Sequence, residues 1–331
     1  MPALKLTLAC GGYDRTRALA DGTVRPEGID LNYISMRPAE TFWRMLNNAE
    51  FDASEMSLSS YTILRSQGDT RFIALPVFPS RIFRQSCVYV NTRAGIRRPE
   101  DLKGKRFGAA DYQMTAAVWV RGFLQHDYGV LPEDLNWVLG APVRTGVKIP
   151  ERVRVERVGL DRSLDFMLEK GEIDALLGVT FPRPFLAGSK RVRRLFQNYR
   201  SVEEDYFRRT GIFPIMHTLV MKASLLEAEP WAAVSLYKAF VQAKRLNEQQ
   251  LYDTDALHAS LPWLTDHVEQ SRRIFGGEFW DYSVEGSRPT LEALVAYLDE
   301  QGLTARKMRV EELFVPNIRP NYQAYLGSFY H

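Results

Sequence analysis

Two short apolar segments that each end in polar residues constrain the fold of this chain more than any other feature. The first ends at Glu55-Met-Ser57, and the second, after a helix-like run, ends at Ser80-Arg81. The ligand crevice of an open α/β sheet lies beyond the carboxyl ends of its strands, so both polar ends are expected to face one cleft. An acid, hydroxyls and arginines at one cleft predict a small anionic ligand, because a guanidinium pairs with a carboxylate through two parallel hydrogen bonds.

Three arginines are the candidates for binding a ligand carboxylate: Arg81, Arg84 and Arg183. Arg183 stands between two prolines, which hold it stiffly. Arg84 also fits a surface or interdomain salt bridge. The hydroxyl candidates around them are Ser57, Ser59 and Ser80.

The segments before this stretch predict a mostly parallel sheet. They indicate strands over residues 5–9 and 28–34 and an amphipathic helix over 40–49. Two glycines follow the first strand and allow a tight turn, and Tyr13, Asp14 and Arg15 come next as cleft candidates. The dinucleotide-binding pattern GxGxxG is absent. The order strand, strand, helix, strand, helix, strand is typical of a mostly parallel α/β sheet.

A second α/β unit is predicted from residue 86 onward. Its strands are expected at 87–91, 106–110 and 174–178, and residues 140–157 are expected to be an irregular surface segment. A helix follows Thr115, and helix N-termini favour anions, so Tyr112, Gln113 and Thr115 are candidates for the opposite wall of the cleft. Thr115 fits plain helix capping equally well. Thr180 and Arg183 follow the third strand and are expected at the cleft end.

Residues 211–221 predict a strand that returns to the first unit and places His217 at the hinge, on the floor of the cleft. A lone histidine beside an apolar run is more often a satisfied core residue than a catalytic one. At 331 residues, two domains are the default. The expected division is residues 1–84 plus 218–331 for lobe 1 and residues 85–217 for lobe 2.

Composition narrows the function classes. A formal net charge of +3 and the lack of a dominant basic tract argue against nucleic-acid binding. No apolar run approaches the 18 residues or so that a membrane span needs. The two cysteines, Cys10 and Cys87, lack CxxC or histidine-spaced partners, so neither a zinc site nor a disulfide framework is indicated. The N-terminus lacks a basic leader with an apolar run, so the expected location is the cytoplasm.

Six segments, in this order along nearly the whole chain, resemble the 4,5-dihydroxyphthalate decarboxylase family. They are 8–17, 24–31, 55–61, 76–81, 112–116 and 210–217. The resemblance implies an α/β, two-lobed periplasmic-binding-protein-like (type II) fold, with two mixed, mostly parallel sheets and a ligand cleft at the hinge. It also implies non-oxidative decarboxylation of a dihydroxylated aromatic dicarboxylate, most simply 4,5-dihydroxyphthalate to protocatechuate and carbon dioxide. The same fold serves solute receptors, so a non-catalytic binding protein for a small aromatic carboxylate is the alternative.

For such a substrate, Arg81 with Arg84 or Arg183 is expected to hold the carboxylate that stays. His217 and Glu55 are expected to act as an acid–base pair, with the roles of acid and base unassigned. Ser57 and Ser59 would hydrogen-bond hydroxyls or carboxylate. No cofactor is required, and a divalent metal held by His217 and Glu55 is the weaker option because no third carboxylate is visible. An aromatic tail over residues 322–330 leaves self-association open.

Overall fold

The computed structural model describes residues 2–140, 146–159, 161–316 and 318, and it is built on two β-sheets. The first sheet has the order β2-β1-β3-β11-β4. Its strands are β1 (Leu4–Cys10), β2 (Ile29–Ser35), β3 (Ala53–Ser57), β4 (Phe72–Arg81) and β11 (Ile215–Lys222). Strand β1 runs parallel to β2 and β3, whereas β11 is antiparallel to β3 and β4. The strand predicted to return at His217 is therefore β11, and it lies between the two strands that carry the polar ends.

The second sheet has the order β10-β5-β9-β6-β7-β8. Its strands are β5 (Val88–Asn91), β6 (Arg106–Ala109), β7 (Asn136–Leu139), β8 (Arg154–Arg157), β9 (Ala175–Leu177) and β10 (Val192–Arg194). Strands β9, β6, β7 and β8 are parallel neighbours, while β5 pairs antiparallel with β9 and β10. Two mixed, mostly parallel sheets confirm the predicted fold class. The chain passes to the second sheet after β4 and returns after β10, and the division into two lobes at residues 84 and 217 stays a prediction.

One expectation about this sheet is wrong. Residues 154–157 were expected to be irregular, but they form β8 and pair with β7 along the sheet edge. Three of these four side chains are exposed and charged, so the apolar alternation that marks a half-buried strand is missing. Residues 141–145, in the same expected segment, lie outside the described residues, as does the tail over 322–330.

The helices pack around the two sheets. They are α1 (Arg17–Ala20), α2 (Pro38–Asn48), α3 (Leu58–Ser66), α4 (Thr115–Tyr128), α5 (Leu164–Lys170), α6 (Arg183–Leu186), α7 (Tyr199–Thr210), α8 (Ala223–Ala228), α9 (Trp231–Gln250), α10 (Leu264–Phe275) and α11 (Arg288–Glu300). Among the described residues, no helix is long and apolar enough to cross a membrane.

Helix α4 connects the second sheet to the first. The Trp119 indole N–H donates to the carbonyl of Ile215 at 2.9 Å, and Gly122 lies so close to the Tyr297 ring of α11 that a Cβ there would overlap it. The first ten residues of α4, from Thr115 to Leu124, are all buried, because the helix packs against α11, α3 and β11. The N-terminus of α4 is thereby fixed against the polar end of β3.

Candidate functional site

Three polar side chains line up across the centre of the first sheet. His217 on β11 lies opposite Ser57 on β3 and opposite Ser80 on β4. Directly opposite residues of antiparallel strands present their side chains on the same face. The pairing of β11 with β4 is irregular on both sides of His217. Such irregularities bend a strand locally and re-aim a side chain, which here is the imidazole.

His217 and Glu55 form a hydrogen-bonded pair on this face. Glu55 lies two residues before Ser57, so it is a diagonal neighbour of His217, and its Oε1 is 2.6 Å from His217 Nδ1. The Glu55 side chain is 0% exposed, whereas that of His217 is 19% exposed. Phe42 of α2 places its ring edge-on to the imidazole with 4.8 Å between ring centroids. The imidazole is thus held on one side by the carboxylate and on another by an aromatic ring.

The turn after β1 completes the surroundings of Glu55. The Gly11 N–H donates to Oε2 at 2.8 Å, the Tyr13 hydroxyl donates to Oε1 at 2.6 Å, and Cys10 Sγ lies 3.7 Å from Oε2. Burial alone would raise the pKa of the Glu55 carboxyl, but the His217 imidazole and the donors Tyr13 and Gly11 outweigh it, so the pKa is lowered. Glu55 is therefore a buried carboxylate that remains ionised, with both oxygens engaged.

This arrangement suits proton exchange through the imidazole. Within the described part of the chain His217 Nδ1 is bonded to Glu55, and no hydrogen bond engages Nε2, the ring nitrogen on the opposite side. The carboxylate at Nδ1 fixes the orientation of the ring and leaves Nε2 as the nitrogen that can face a ligand. His217 can therefore donate a proton from Nε2, and Glu55 acts through it rather than on a ligand.

A buried hydroxyl cluster joins β3 and α3 to the start of α4. Ser57 Oγ lies 2.9 Å from Thr115 Oγ1, the Ser59 hydroxyl donates to the Gln113 carbonyl at 2.6 Å, and the Ser59 N–H donates to Thr115 Oγ1 at 3.1 Å. Ser57 also caps α3 by accepting from the Ser60 N–H at 3.4 Å. The sequence analysis offered Thr115 as a helix cap or as a ligand contact. In the structure its hydroxyl instead contacts Ser57 at the end of β3 and Ser59 in the first turn of α3. Ser80 is half-buried beside His217.

The printed hydrogen bonds of the three predicted anchor arginines go to groups other than the Glu55–His217 pair. Arg81 follows Ser80 on β4 and pairs with Ile215 of β11, across the irregular register beside His217. Its guanidinium donates to the Asp281 carbonyl at 2.7 Å and to the Ser287 hydroxyl at 2.5 Å. Burial lowers the pKa of Arg81 to about 10.

Arg84 and Arg183 are likewise engaged elsewhere. Arg84 is buried against Met216 Sδ at 3.3 Å and Cys87 Sγ at 3.6 Å. Arg183 is 62% exposed and forms an ion pair with Asp165 at 2.8 Å. The structure therefore does not bring Arg81, Arg84 and Arg183 to the Glu55–His217 pair, and ligand binding by them stays a prediction.

Two further candidates have clear positions. Tyr112 is buried, with its ring 5.3 Å from that of Trp137 and 3.8 Å from the Arg121 guanidinium carbon. Burial raises the pKa of the Tyr112 hydroxyl. Thr180 is exposed in the turn after β9. Neither makes a hydrogen bond to the Glu55–His217 pair.

Arg15, a cleft candidate from the sequence, does lie beside the pair. Its guanidinium stacks on the ring of Tyr13, which in turn donates to Glu55. Its other aromatic neighbour, Trp280, carried no sequence signal, because more than 200 residues separate it from the β1 turn and no local pattern marks the contact. Phe42 was recognised only as part of a helix face.

Metal binding at the site has limited support from the donor set. Across the residues that the structure describes, no group of three or more His, Cys, Asp and Glu side chains is arranged to hold a metal ion. Cys10 and Cys87 are buried and free. That no cofactor is required stays a prediction.

The two-sheet architecture places the chain among proteins with the periplasmic-binding-protein fold. The aliphatic sulphonate binding protein SsuA of Escherichia coli superposes with a TM-score of 0.56 at 11% identity, over 94% of this chain and 97% of that one. The alkanesulfonate-binding protein SsuA of Xanthomonas axonopodis pv. citri, bound to MOPS, gives 0.55 at 11% identity, over 95% and 99%. At this identity the likeness shows the fold alone.

Sequence comparison identifies the family. No protein-family model matches the chain. A 4,5-dihydroxyphthalate decarboxylase of Comamonas testosteroni is 39% identical over 322 residues, which are 96% of this chain and 98% of that protein. One of the same name from Pseudomonas putida is 40% identical over 214 residues, 63% of this chain and 83% of that protein. The chain belongs to the 4,5-dihydroxyphthalate decarboxylase family, which confirms the resemblance drawn from its six segments.

Proposed function

We propose that this protein is a carboxy-lyase that converts 4,5-dihydroxyphthalate to protocatechuate and carbon dioxide without oxidation. The activity is supported by the two relatives of that name, one of which matches nearly the whole chain. The observation that carries the mechanism is the Glu55–His217 pair, a buried ionised carboxylate 2.6 Å from the imidazole of a partly exposed histidine. General acid catalysis needs such a group within reach of the reacting carbon.

The substrate itself supplies the electrons for the reaction. In 4,5-dihydroxyphthalate each ring hydroxyl lies para to a carboxylate. A proton added to the ring carbon that bears the departing carboxylate forms a C–H bond from ring electrons, and the para oxygen shares the resulting positive charge. The bond to the carboxylate then breaks, its electron pair restores the aromatic ring, and carbon dioxide leaves.

We assign the proton transfer to His217. Its imidazolium gives a proton from Nε2 to the ring carbon and is recharged from water, so each turnover consumes one proton and no electrons are exchanged with a redox partner. Glu55 is fully buried and its oxygens are occupied by Gly11, Tyr13 and His217, so it is a positioning residue that orients the imidazole.

The competing function is a non-catalytic receptor for a small aromatic carboxylate, the alternative that the sequence analysis left open because solute receptors share this fold. The deciding experiment incubates purified protein with 4,5-dihydroxyphthalate, with and without a chelator, and follows carbon dioxide and protocatechuate. Turnover that survives the chelator supports the scheme above, whereas loss that a divalent ion restores would assign a metal to the site. Tight binding without turnover would favour the receptor.

His217→Ala separates the two functions more sharply. The variant is expected to lose turnover and retain substrate binding if His217 delivers the proton. Unchanged turnover would remove His217 from the mechanism. A cytoplasmic location and a role in aromatic catabolism belong to the same proposal, and assay of fractionated cells tests the location.

A further inference from the structure

Arg15 is held as a rigid cation beside the Glu55–His217 pair. Its guanidinium carbon lies 4.3 Å from the centroid of the Tyr13 ring and 4.2 Å from that of Trp280. Trp280 is itself fixed, because its indole N–H donates to the Phe78 carbonyl at 2.9 Å. The Arg15 side chain is 15% exposed. Two aromatic faces therefore define the plane of the guanidinium before any ligand binds.

The hydrogen bonds of Arg15 leave some of its guanidinium N–H groups available to a ligand. Nε donates to the Pro79 carbonyl at 2.7 Å, Nη2 donates to the same oxygen, and Nη1 donates to Asp14 at 2.8 Å. A guanidinium carries five N–H groups, and these contacts use one on each nitrogen. Nη1 and Nη2 thus each retain one N–H, which is the number that a bidentate carboxylate requires.

Arg15 is linked to the reacting centre from two directions. Through Tyr13 it is one aromatic ring away from Glu55, since the Tyr13 hydroxyl donates to Oε1 at 2.6 Å. Through the Pro79 carbonyl it is bound next to Ser80, the residue opposite His217 in the sheet. Arg81, Arg84 and Arg183, by contrast, make their hydrogen bonds to groups other than the Glu55–His217 pair.

We propose that Arg15 binds the carboxylate that the substrate keeps, and so selects aromatic dicarboxylates. This inference rests on the proposed function. A planar guanidinium matches a carboxylate better than an ammonium does, and the ordering by Tyr13 and Trp280 reduces the entropy lost on binding. With the retained carboxylate on Arg15, the neighbouring carboxylate of the same ring is directed toward the imidazole of His217.

The test compares two ligands that each carry half of the substrate's groups. Phthalate has the carboxylates without the hydroxyls, and catechol has the hydroxyls without the carboxylates. Arg15→Gln is expected to weaken phthalate binding about 10- to 100-fold and to leave catechol binding unchanged, because only the charged hydrogen bonds are lost. The matched control is Arg17→Gln, which removes an exposed positive charge two residues away and is expected to change neither affinity.

Calorimetric titration with each ligand gives the affinities. In Arg15→Gln the KM for 4,5-dihydroxyphthalate is expected to rise by about the factor by which phthalate affinity falls, with a smaller change in kcat. Arg15→Lys keeps the charge without the fork and is expected to fall between the native protein and Arg15→Gln. Normal phthalate binding by Arg15→Gln, equal loss of both ligands, or no phthalate binding by the native protein would each overturn the inference. Decarboxylation by the native protein is scored separately, so a failure of the proposed function is told apart from a failure of the Arg15 site.

Discussion

The substitution Glu55→Gln tests the central part of the mechanism, because it keeps the size of the side chain and removes its charge. Glu55 is 0% exposed and accepts hydrogen bonds from His217, Tyr13 and Gly11. An amide has one oxygen in place of two and a donor where the second oxygen was, so these donors are no longer all satisfied. The imidazole of His217 loses its charged partner.

The expected size of the effect follows from that one interaction. A hydrogen bond to a charged group contributes about 1.5–3 kcal/mol, and each 1.36 kcal/mol in a barrier is a factor of about ten in rate. We therefore expect kcat to fall about 10- to 150-fold. KM should change little, because Glu55 does not touch the ligand.

The assay is carbon dioxide release measured from pH 5 to 9 for the native protein, Glu55→Gln and a control. Ser54→Ala is a suitable control, since Ser54 is the buried neighbour on the same strand and its hydroxyl has no hydrogen-bond partner among the described residues. The double variant Glu55→Gln with His217→Ala should be no slower than His217→Ala alone if Glu55 acts only through the imidazole. A native kcat in Glu55→Gln would refute the reasoning.

The lowered pKa of Glu55 also predicts how stability depends on pH. Its pKa is lower in the folded chain than in an unfolded one, so its contribution is present above the ordinary value of about 4.3 and is lost as the pH falls through the lowered folded value. The difference in melting temperature between the native protein and Glu55→Gln, measured by calorimetry, should therefore be larger at pH 7 than near pH 4. An equal difference at the two pH values would contradict this prediction. Replacement of Arg81 by Met should lower the melting temperature, because the Asp281 carbonyl and Ser287 lose a buried donor; Arg191→Met, at an exposed site, is the control. Thr115→Val should cost about 1–3 kcal/mol in urea unfolding, since Ser57 and Ser59 lose a buried partner, and no loss would show that the hydroxyl cluster contributes little.

Much of the fold was accessible from local patterns. The period of apolar residues and the glycine-rich turns predicted β1, β2, β5, β6 and β9 to within one or two residues, because both reflect the geometry of a short segment. No bounds were predicted for β7 and β10, and β11 begins four residues later than predicted. Strand β8 was not predicted, because an edge strand with exposed charged side chains has no apolar period. The family was reached through six short segments that each depend on local sequence alone.

The candidate site could likewise be predicted only in part from the sequence. The sequence by itself determined that Glu55, Ser57, Ser80 and His217 stand at strand ends near one another, because strand ends of an α/β sheet share an edge. Only the tertiary structure decided that β11 enters between β3 and β4 and so brings His217 to 2.6 Å from Glu55. It also decided the partners of the arginines: Arg81 is engaged by the Asp281 carbonyl and Ser287, while Trp280, far along the chain, completes the surroundings of Arg15. Side-chain direction and long-range contacts depend on how the whole sheet is paired, and no local pattern encodes that pairing.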